Sequence, residues 1–162
     1  MKINISVLED GAIFFRGIDP LILQILSEIR TAADLDDPRV EARFYQSPTN
    51  DPEAENLRED WKAFVQPDLH SALASSREVV DADLRRSSLD KEGNGSLLIP
   101  RNHIDHWLSA LNQARLALVE FHRFTEADMS RQPEDLEDPL DHALFQLSIY
   151  GLLLEWLVTL VD

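Results

Sequence analysis

The sequence has no cysteine among its 162 residues. Disulfide bonds, thiolate nucleophiles and cysteine zinc sites are therefore excluded, and the absence agrees with a reducing compartment. Basic residues are also scarce, with 15 Lys and Arg against 30 Asp and Glu. Because Lys and Arg dominate binding to phosphate groups, a net charge of -15 argues against nucleic acids and anionic membrane surfaces as partners.

The sequence signatures of several enzyme classes are missing as well. The chain has no glycine-rich phosphate loop, no nucleophile elbow and no dinucleotide-binding fingerprint. Residues 1–8 alternate polar and apolar side chains, without the apolar segment and cleavage site of a signal peptide. We therefore expect a cytoplasmic protein without a cofactor, and an enzyme is the less favoured interpretation.

The length and the apolar content predict one folded unit. Hydrophobic residues make up 44% of the chain. A chain of this length buries roughly 70% of its unfolded surface, which is enough for a hydrophobic core. Since no internal repeat and no linker divides the sequence, we expect a single helical domain over residues 1–162.

Turn residues predict a small sheet. Two β-type runs, 3–8 and 12–16, flank Asp10-Gly11, a pair that supplies the positive φ angles of a tight hairpin. A further apolar strand is predicted at 96–99, where it could pair with this hairpin. The strands therefore form a β-hairpin or a three-stranded antiparallel sheet at one end of the molecule.

Asp-Pro pairs predict where helices begin. In such a pair the Asp side chain accepts free N–H groups, and the proline ring is already set at the helical φ angle. The pairs lie at 19–20, 37–38, 51–52 and 138–139. Apolar residues at helical spacing predict long helices at about 20–33, 67–88, 101–123 and 139–161. The predicted fold class is mainly α, a bundle of five or six helices with the small sheet.

The helix that begins at 52 is amphipathic. Pro67 predicts a break at Gln66, because proline removes a donor from the helical ladder. The apolar face of this helix consists of Ala54, Leu57, Trp61 and Phe64.

Two clusters resemble metal sites without completing one. The run from Asp90 to Ser96 matches the first positions of a calcium-binding EF-hand loop, but Arg101 stands where the bidentate carboxylate is required. His103 and His106 lie three residues apart on a predicted helix, with His122 further along. Metal sites need three or four converging ligands. We therefore favour a glycine-rich turn and solvent-facing histidines, and assign no metal ligand.

The last predicted helix is almost free of charge. Between 143 and 161 its single charged residue is Glu155, and the run is nearly long enough to span a bilayer. Glu155 and Gln146 lie inside the run, and neither Lys nor Arg flanks it, which disfavours a membrane span. We expect a core helix surrounded by its neighbours. For the chain as a whole, excess apolar helix surface would allow a homodimer.

Arg115 is a charged residue among the apolar residues of the preceding helix. It falls in an apolar stripe, where a charge is costly unless it is compensated. Glu155 is the matching anomaly in the last helix, and Asn112 lies one turn before Arg115. We expect Asn112, Arg115 and Glu155 to form a polar cluster, either as a buried ion pair or as a pocket for an anionic ligand. The alternative is that Arg115 and Glu155 reach the surface. The stripe is Ile104, Leu108, Leu111, Arg115 and Leu118.

Two runs carry a family resemblance. WLSALNQARLAL at 107–118, followed by LEWLV at 154–158, resembles a bacterial family of unknown function that is best represented in actinobacteria. The resemblance extends along the whole chain and places Asn112, Arg115 and Glu155 on the family's characteristic polar positions. Members are often encoded beside the adaptor that feeds substrates to the Clp protease. The resemblance thus implies a link to regulated proteolysis.

The expected function rests mostly on the enzyme motifs and the basic charge that the sequence lacks. We expect a non-enzymatic module for protein–protein contacts or regulation, with an unidentified protein partner for which a Clp protease component is the candidate. The alternative is a small-ligand binder or enzyme whose polar pocket is built on Arg115 and Glu155.

Overall fold

The chain folds into a mostly helical structure with one antiparallel sheet. The computed structural model describes residues 3–45 and 51–161, apart from the side chain of Pro52. The sheet has four strands in the order β1-β2-β4-β3. These strands are β1 (Asn4–Val7), β2 (Ile13–Ile18), β3 (Ser88–Leu89) and β4 (Gly95–Ile99).

Two hairpins build the sheet. β1 pairs with β2 next to Gly11, whose φ of 88° lies in the left-handed region that glycine favours, and the predicted N-terminal hairpin is confirmed. The prediction of at most three strands is wrong, because β3 pairs with β4. Asp90 closes the turn between them, since its Oδ1 accepts the backbone N–H groups of Glu92 and Asn94. The run that resembles an EF-hand loop is therefore a hairpin turn.

Side-chain caps begin the predicted helices. At each Asp-Pro pair the Asp side chain accepts the backbone N–H two residues later, as predicted. The predicted helix at 20–33 divides at Glu28. The acidic loop that precedes the last helix, residues 123–138, contains one short helix. The α-helices are α1 (Pro20–Ser27), α2 (Ile29–Ala33), α3 (Pro38–Phe44), α4 (Glu55–Asp60), α5 (Gln66–Arg85), α6 (Ile104–His122), α7 (Glu126–Ser130) and α8 (Pro139–Val161).

The predicted break at Gln66 does not occur. A π-helical turn, Trp61–Val65, joins α4 directly to α5, and the N–H of Gln66 bonds to the carbonyl of Trp61. Pro67 is the second residue of α5 and has no N–H to donate to the helical turn before it. The wider π turn lets the chain continue as a helix past the proline.

α6 is the helix that the other elements surround. It packs against α2, α3, α5 and α8. Trp107, Ala110, Leu111 and Ala114 have no exposed surface, and the small alanine side chains let neighbouring helices approach closely. The buried face of the sheet adds Ile13, Phe15 and Ile99 to the same core.

The last helix is not the surrounded core helix that the sequence predicts. α8 buries one side, which includes Tyr150 and Leu157, and only 28% of its most apolar 18-residue window is buried. Tyr150 anchors that side, because its hydroxyl donates to the carbonyl of Ile25 at 2.7 Å. By length and composition α8 is the one described helix that could cross a membrane. Its outward side carries apolar residues at the protein surface.

Asp141 ties the acidic loop to the start of α8. Its Oδ2 accepts the backbone N–H groups of Asp135 and Glu134, and its carboxylate forms an ion pair with Arg131. The hydrogen bond from Asp135, then that from Glu134 and the Arg131 charge, hold the pKa of Asp141 below its ordinary value of 3.8.

We expect this carboxylate to make stability depend on pH in acid. Because its folded-state pKa is lowered, its contribution is fully present above the ordinary pKa and is lost as the pH falls through the folded-state pKa. Asp141→Asn should reduce proton uptake on acid unfolding, which the slope of unfolding free energy against pH measures. Asp105→Asn, at an exposed position of α6, is the control. An unchanged slope for Asp141→Asn would contradict this role.

Candidate functional site

Two of the three predicted site residues line one groove. Asn112 and Arg115 line an open groove between α6 and α8, together with Ser148. The Arg115 guanidinium lies against Gly151, since a Cβ atom at Gly151 would lie 3.6 Å from Arg115 Nε. Glu155 lies one helical turn beyond Gly151, is exposed, and does not line the groove.

The expected buried ion pair between Arg115 and Glu155 does not form. Both side chains are exposed, and neither makes an ion pair or a side-chain hydrogen bond with any residue in 3–45 or 51–161. The reason is the rotation of α6, which places Arg115 beside the buried stripe rather than in it. That stripe is Ile104, Trp107, Leu111, Ala114 and Leu118.

A buried carboxylate instead accepts hydrogen bonds where α5 packs against α6. The Asp83 side chain is 1% exposed and accepts from Trp107 Nε1 at 2.9 Å, from His103 Nδ1 at 2.9 Å and from Arg86 at 2.8 Å. Because a carboxylate only accepts, His103 carries its proton on Nδ1. We call Asp83, Arg86, His103 and Trp107 the Asp83 cluster.

A second buried polar contact lies in the same interface between α5 and α6. Arg77 is 8% exposed, and one of its guanidinium nitrogens donates to Gln113 Oε1 at 3.0 Å. Gln113 in turn donates to the carbonyl of Leu73 and to the hydroxyl of Ser109. The other guanidinium nitrogen lies 3.6 Å from the exposed carboxylate of Asp34. Among the residues that the structure describes, Arg77 is thus the buried cation, and it bonds to an amide inside the fold and pairs with a carboxylate at the surface.

Sequence reasoning missed both contacts. The buried positions of α5 follow a wide stripe of the type i, i+1, i+4, i+7, i+8. The residues at helical spacing that predicted the helix at 67–88 did not include Arg77 and Asp83. The wide stripe, read from the sequence, would have marked them as the residues that need partners. It comprises Ser76, Arg77, Val80, Asp83 and Leu84.

The histidines that suggested a metal site are engaged elsewhere. His103 binds Asp83, and His106 Nδ1 lies 3.0 Å from the hydroxyl of Ser76. The His122 ring stacks on Phe124, and burial lowers the pKa of His122. Within residues 3–45 and 51–161, no group of three or more His, Asp or Glu side chains is placed to hold a metal ion.

Phe64, the most exposed large apolar side chain of the described residues, lies on a helical segment at the surface. We call Glu55–Val65, which comprises α4 and the π turn, the 55–65 arm. Phe64 is 72% exposed and Leu57 is 53% exposed, while Trp61 is half-buried. α4 makes its main contacts with the helical turns directly before and after it. The apolar face predicted for this helix exists, but much of it is not buried within the described chain.

α8 presents a second exposed surface. Leu152 is 40% exposed, and Phe145 and Trp156 are half-buried at the same side of the helix. This side also carries small and polar residues. We define the outer face of α8 as Phe145, Ser148, Leu152, Glu155, Trp156 and Thr159, which recur at helical spacing.

The fold and these surfaces define a small, mainly helical protein with two buried polar contacts between α5 and α6 and with apolar helix faces exposed at its surface. The chain belongs to the family described as a domain of unknown function (DUF2017), whose model matches residues 11–162. No curated protein and no solved structure matches the chain.

Proposed function

We propose that the protein is a non-enzymatic protein–protein interaction module of the cytoplasm and that the 55–65 arm is its contact surface. The observation that carries this proposal is the exposure of Phe64 on a helix with few contacts to the body. Large apolar side chains grouped at the surface mark interaction sites more often than isolated ones do. Aromatic residues are also enriched among those that dominate binding energy.

The arm has the arrangement of a helix that docks in a groove. Leu57, Trp61 and Phe64 stand at positions i, i+4 and i+7, the spacing by which such helices place their anchors. Arg58 and Lys62 are outnumbered by acidic side chains around these anchors. A partner with an apolar groove and a basic rim would therefore fit it best. The exposed acidic residues are Glu53, Glu55, Glu59 and Asp60.

A more specific form of the proposal is a role in regulated proteolysis, with a component of the Clp protease as the partner. It is supported by the resemblance to a family whose members are often encoded beside the Clp adaptor. The acidic net charge of -15 also favours a basic protein surface over nucleic acid.

Affinity capture from a lysate of the source cell tests the proposal. We expect the wild-type protein to capture a specific partner, and Phe64→Ser to weaken that capture about thirtyfold, because an aromatic anchor contributes about 2 kcal/mol. Higher salt should weaken capture further if the acidic rim takes part. The matched control is Leu89→Ser, which removes a side chain that is 65% exposed on β3.

Equal capture by wild type, Phe64→Ser and Leu89→Ser would reject the arm as the contact surface. Since Phe64 is exposed, its replacement should leave the thermal unfolding midpoint nearly unchanged. A matched melting curve therefore separates loss of contact from loss of folding.

A second candidate function is the binding of a small anion in the groove beside Arg115. It is favoured by one observation: Asn112 and Arg115 line this groove, and Arg115 has no acidic partner among the described residues. Glu155, expected to share the pocket, lies outside it. A thermal-shift screen of anionic metabolites tests this candidate, because a ligand that binds the folded state raises the unfolding midpoint.

A further inference from the structure

We propose that the outer face of α8 binds the same face of a second copy of the chain, with the two α8 helices antiparallel about a twofold axis near Leu152. This surface is separate from the 55–65 arm, so the inference does not depend on the proposed function. Twofold interfaces are the commonest in homo-oligomers, and they require a surface that complements itself.

Two charged side chains lie at this surface, Glu155 on the outer face of α8 and Arg115 beside it on α6. Arg115 lies against Gly151, and Glu155 stands one turn further along the helix. Both are exposed, and neither makes an ion pair with a residue in 3–45 or 51–161. The cation and the anion lie at different heights along α8. Each can therefore face the opposite charge of a second copy only when the two α8 helices run antiparallel.

The spacing of these two charges along α8 fits a twofold axis at Leu152. With the axis at Leu152, a residue three positions after Leu152 in one copy stands opposite the residue three positions before it in the other. Glu155 of one copy therefore stands at the same height as Ile149 of the other. Arg115 lies beside Ser148 and Gly151, within about 3 Å of that level at a rise of 1.5 Å per residue. A twofold axis perpendicular to the helices also keeps the polar side of one face on the polar side of the other. Each Arg115 therefore meets the Glu155 of the second copy.

The other half of the outer face of α8 is apolar. Leu152 would pack on its own symmetry mate at the axis, with Phe145 and Trp156 on the side away from Arg115. In the isolated chain Leu152 is exposed, and Phe145 and Trp156 are half-buried against the core. Gly151 and Ser148 add little bulk, which allows the two helices to approach closely. The interface would thus have an apolar half and a polar half with two ion pairs.

The test is sedimentation of the full chain in plain buffer over a range of protein concentrations, with charge-reversed variants. We expect a monomer–dimer equilibrium for the wild type. Arg115→Glu and Glu155→Arg should each weaken the dimer about tenfold to a hundredfold, since each removes both ion pairs and sets like charges together. Arg115→Glu combined with Glu155→Arg should restore the dissociation constant to within about threefold of wild type.

Matched controls reverse single exposed charges elsewhere. Arg16→Glu on the sheet and Glu92→Arg in the β3–β4 turn should leave dimerisation unchanged. A monomer at all concentrations, or association that appears only with lipid vesicles, would overturn the proposal, and the second result would indicate a membrane-binding α8. A dimer unaffected by either single reversal, or not restored by the double one, would overturn it as well. An anion site at Arg115 predicts binding that Arg115→Glu abolishes and Glu155→Arg does not restore.

Discussion

Replacing Asp83 with alanine is expected to lower the free energy of unfolding by about 3 kcal/mol. The substitution removes the acceptor of the Trp107 indole N–H, which is fully buried, and the acceptor of His103 Nδ1. A buried donor left without a partner costs its full desolvation free energy. Arg86 should contribute little, because its side chain is 67% exposed and stays hydrated. Urea denaturation followed by circular dichroism measures the loss.

A carboxylate two residues away supplies the control. Asp81 lies on the same helix and pairs with Arg30 and Arg85, whose side chains are largely exposed. Asp81→Ala should therefore cost less than about 1 kcal/mol. If Asp83 acts through the indole, Asp83→Ala should also cost less in a Trp107→Phe background. Equal costs for Asp81→Ala and Asp83→Ala would contradict a special role for the buried carboxylate.

Local signals in the sequence predicted the elements of this fold well. The Asp-Pro caps, the Asp10-Gly11 hairpin and the long helix at 139–161 all depend on residues close together in the chain, and each is confirmed. Strand β3 was missed because two residues, Ser88 and Leu89, carry no periodic pattern. The π turn was missed because the sequence shows a proline but not the way in which the backbone accommodates it.

Side-chain environments were harder to predict, because they depend on the rotation of each helix. In α6, Leu111 belongs to two stripes at helical spacing, one through Arg115 and one through Ala114, and packing selected the second. The same limit applies to apolar faces. Leu57 and Phe64 have the spacing of core residues, and no local pattern states whether the covering surface belongs to this chain or to another.

The Arg77 contact is expected to show strong coupling in a double-mutant cycle. Arg77→Met alone leaves the Gln113 carbonyl oxygen without its donor, and Gln113→Leu alone leaves a buried guanidinium nitrogen unpaired. Each should lower the free energy of unfolding by about 2 kcal/mol. The double variant places two apolar side chains in contact and leaves Asp34 in water, so it should recover the part of the loss that comes from the unpaired groups of the Arg77–Gln113 bond.

Arg115→Met with Glu155→Leu is the matched cycle for the pair that the sequence predicted. Because both side chains are exposed, each substitution should change the unfolding free energy of the monomer by no more than about 0.5 kcal/mol, and the two effects should add. Two results together would contradict Arg77 as the buried cation and favour Arg115 instead. These are additive losses for the Arg77 and Gln113 substitutions and coupled losses for the Arg115 and Glu155 substitutions. Coupling only at Arg77 and Gln113 would leave Arg115 and Glu155 free for contacts outside the chain, because no internal bond would compete for them.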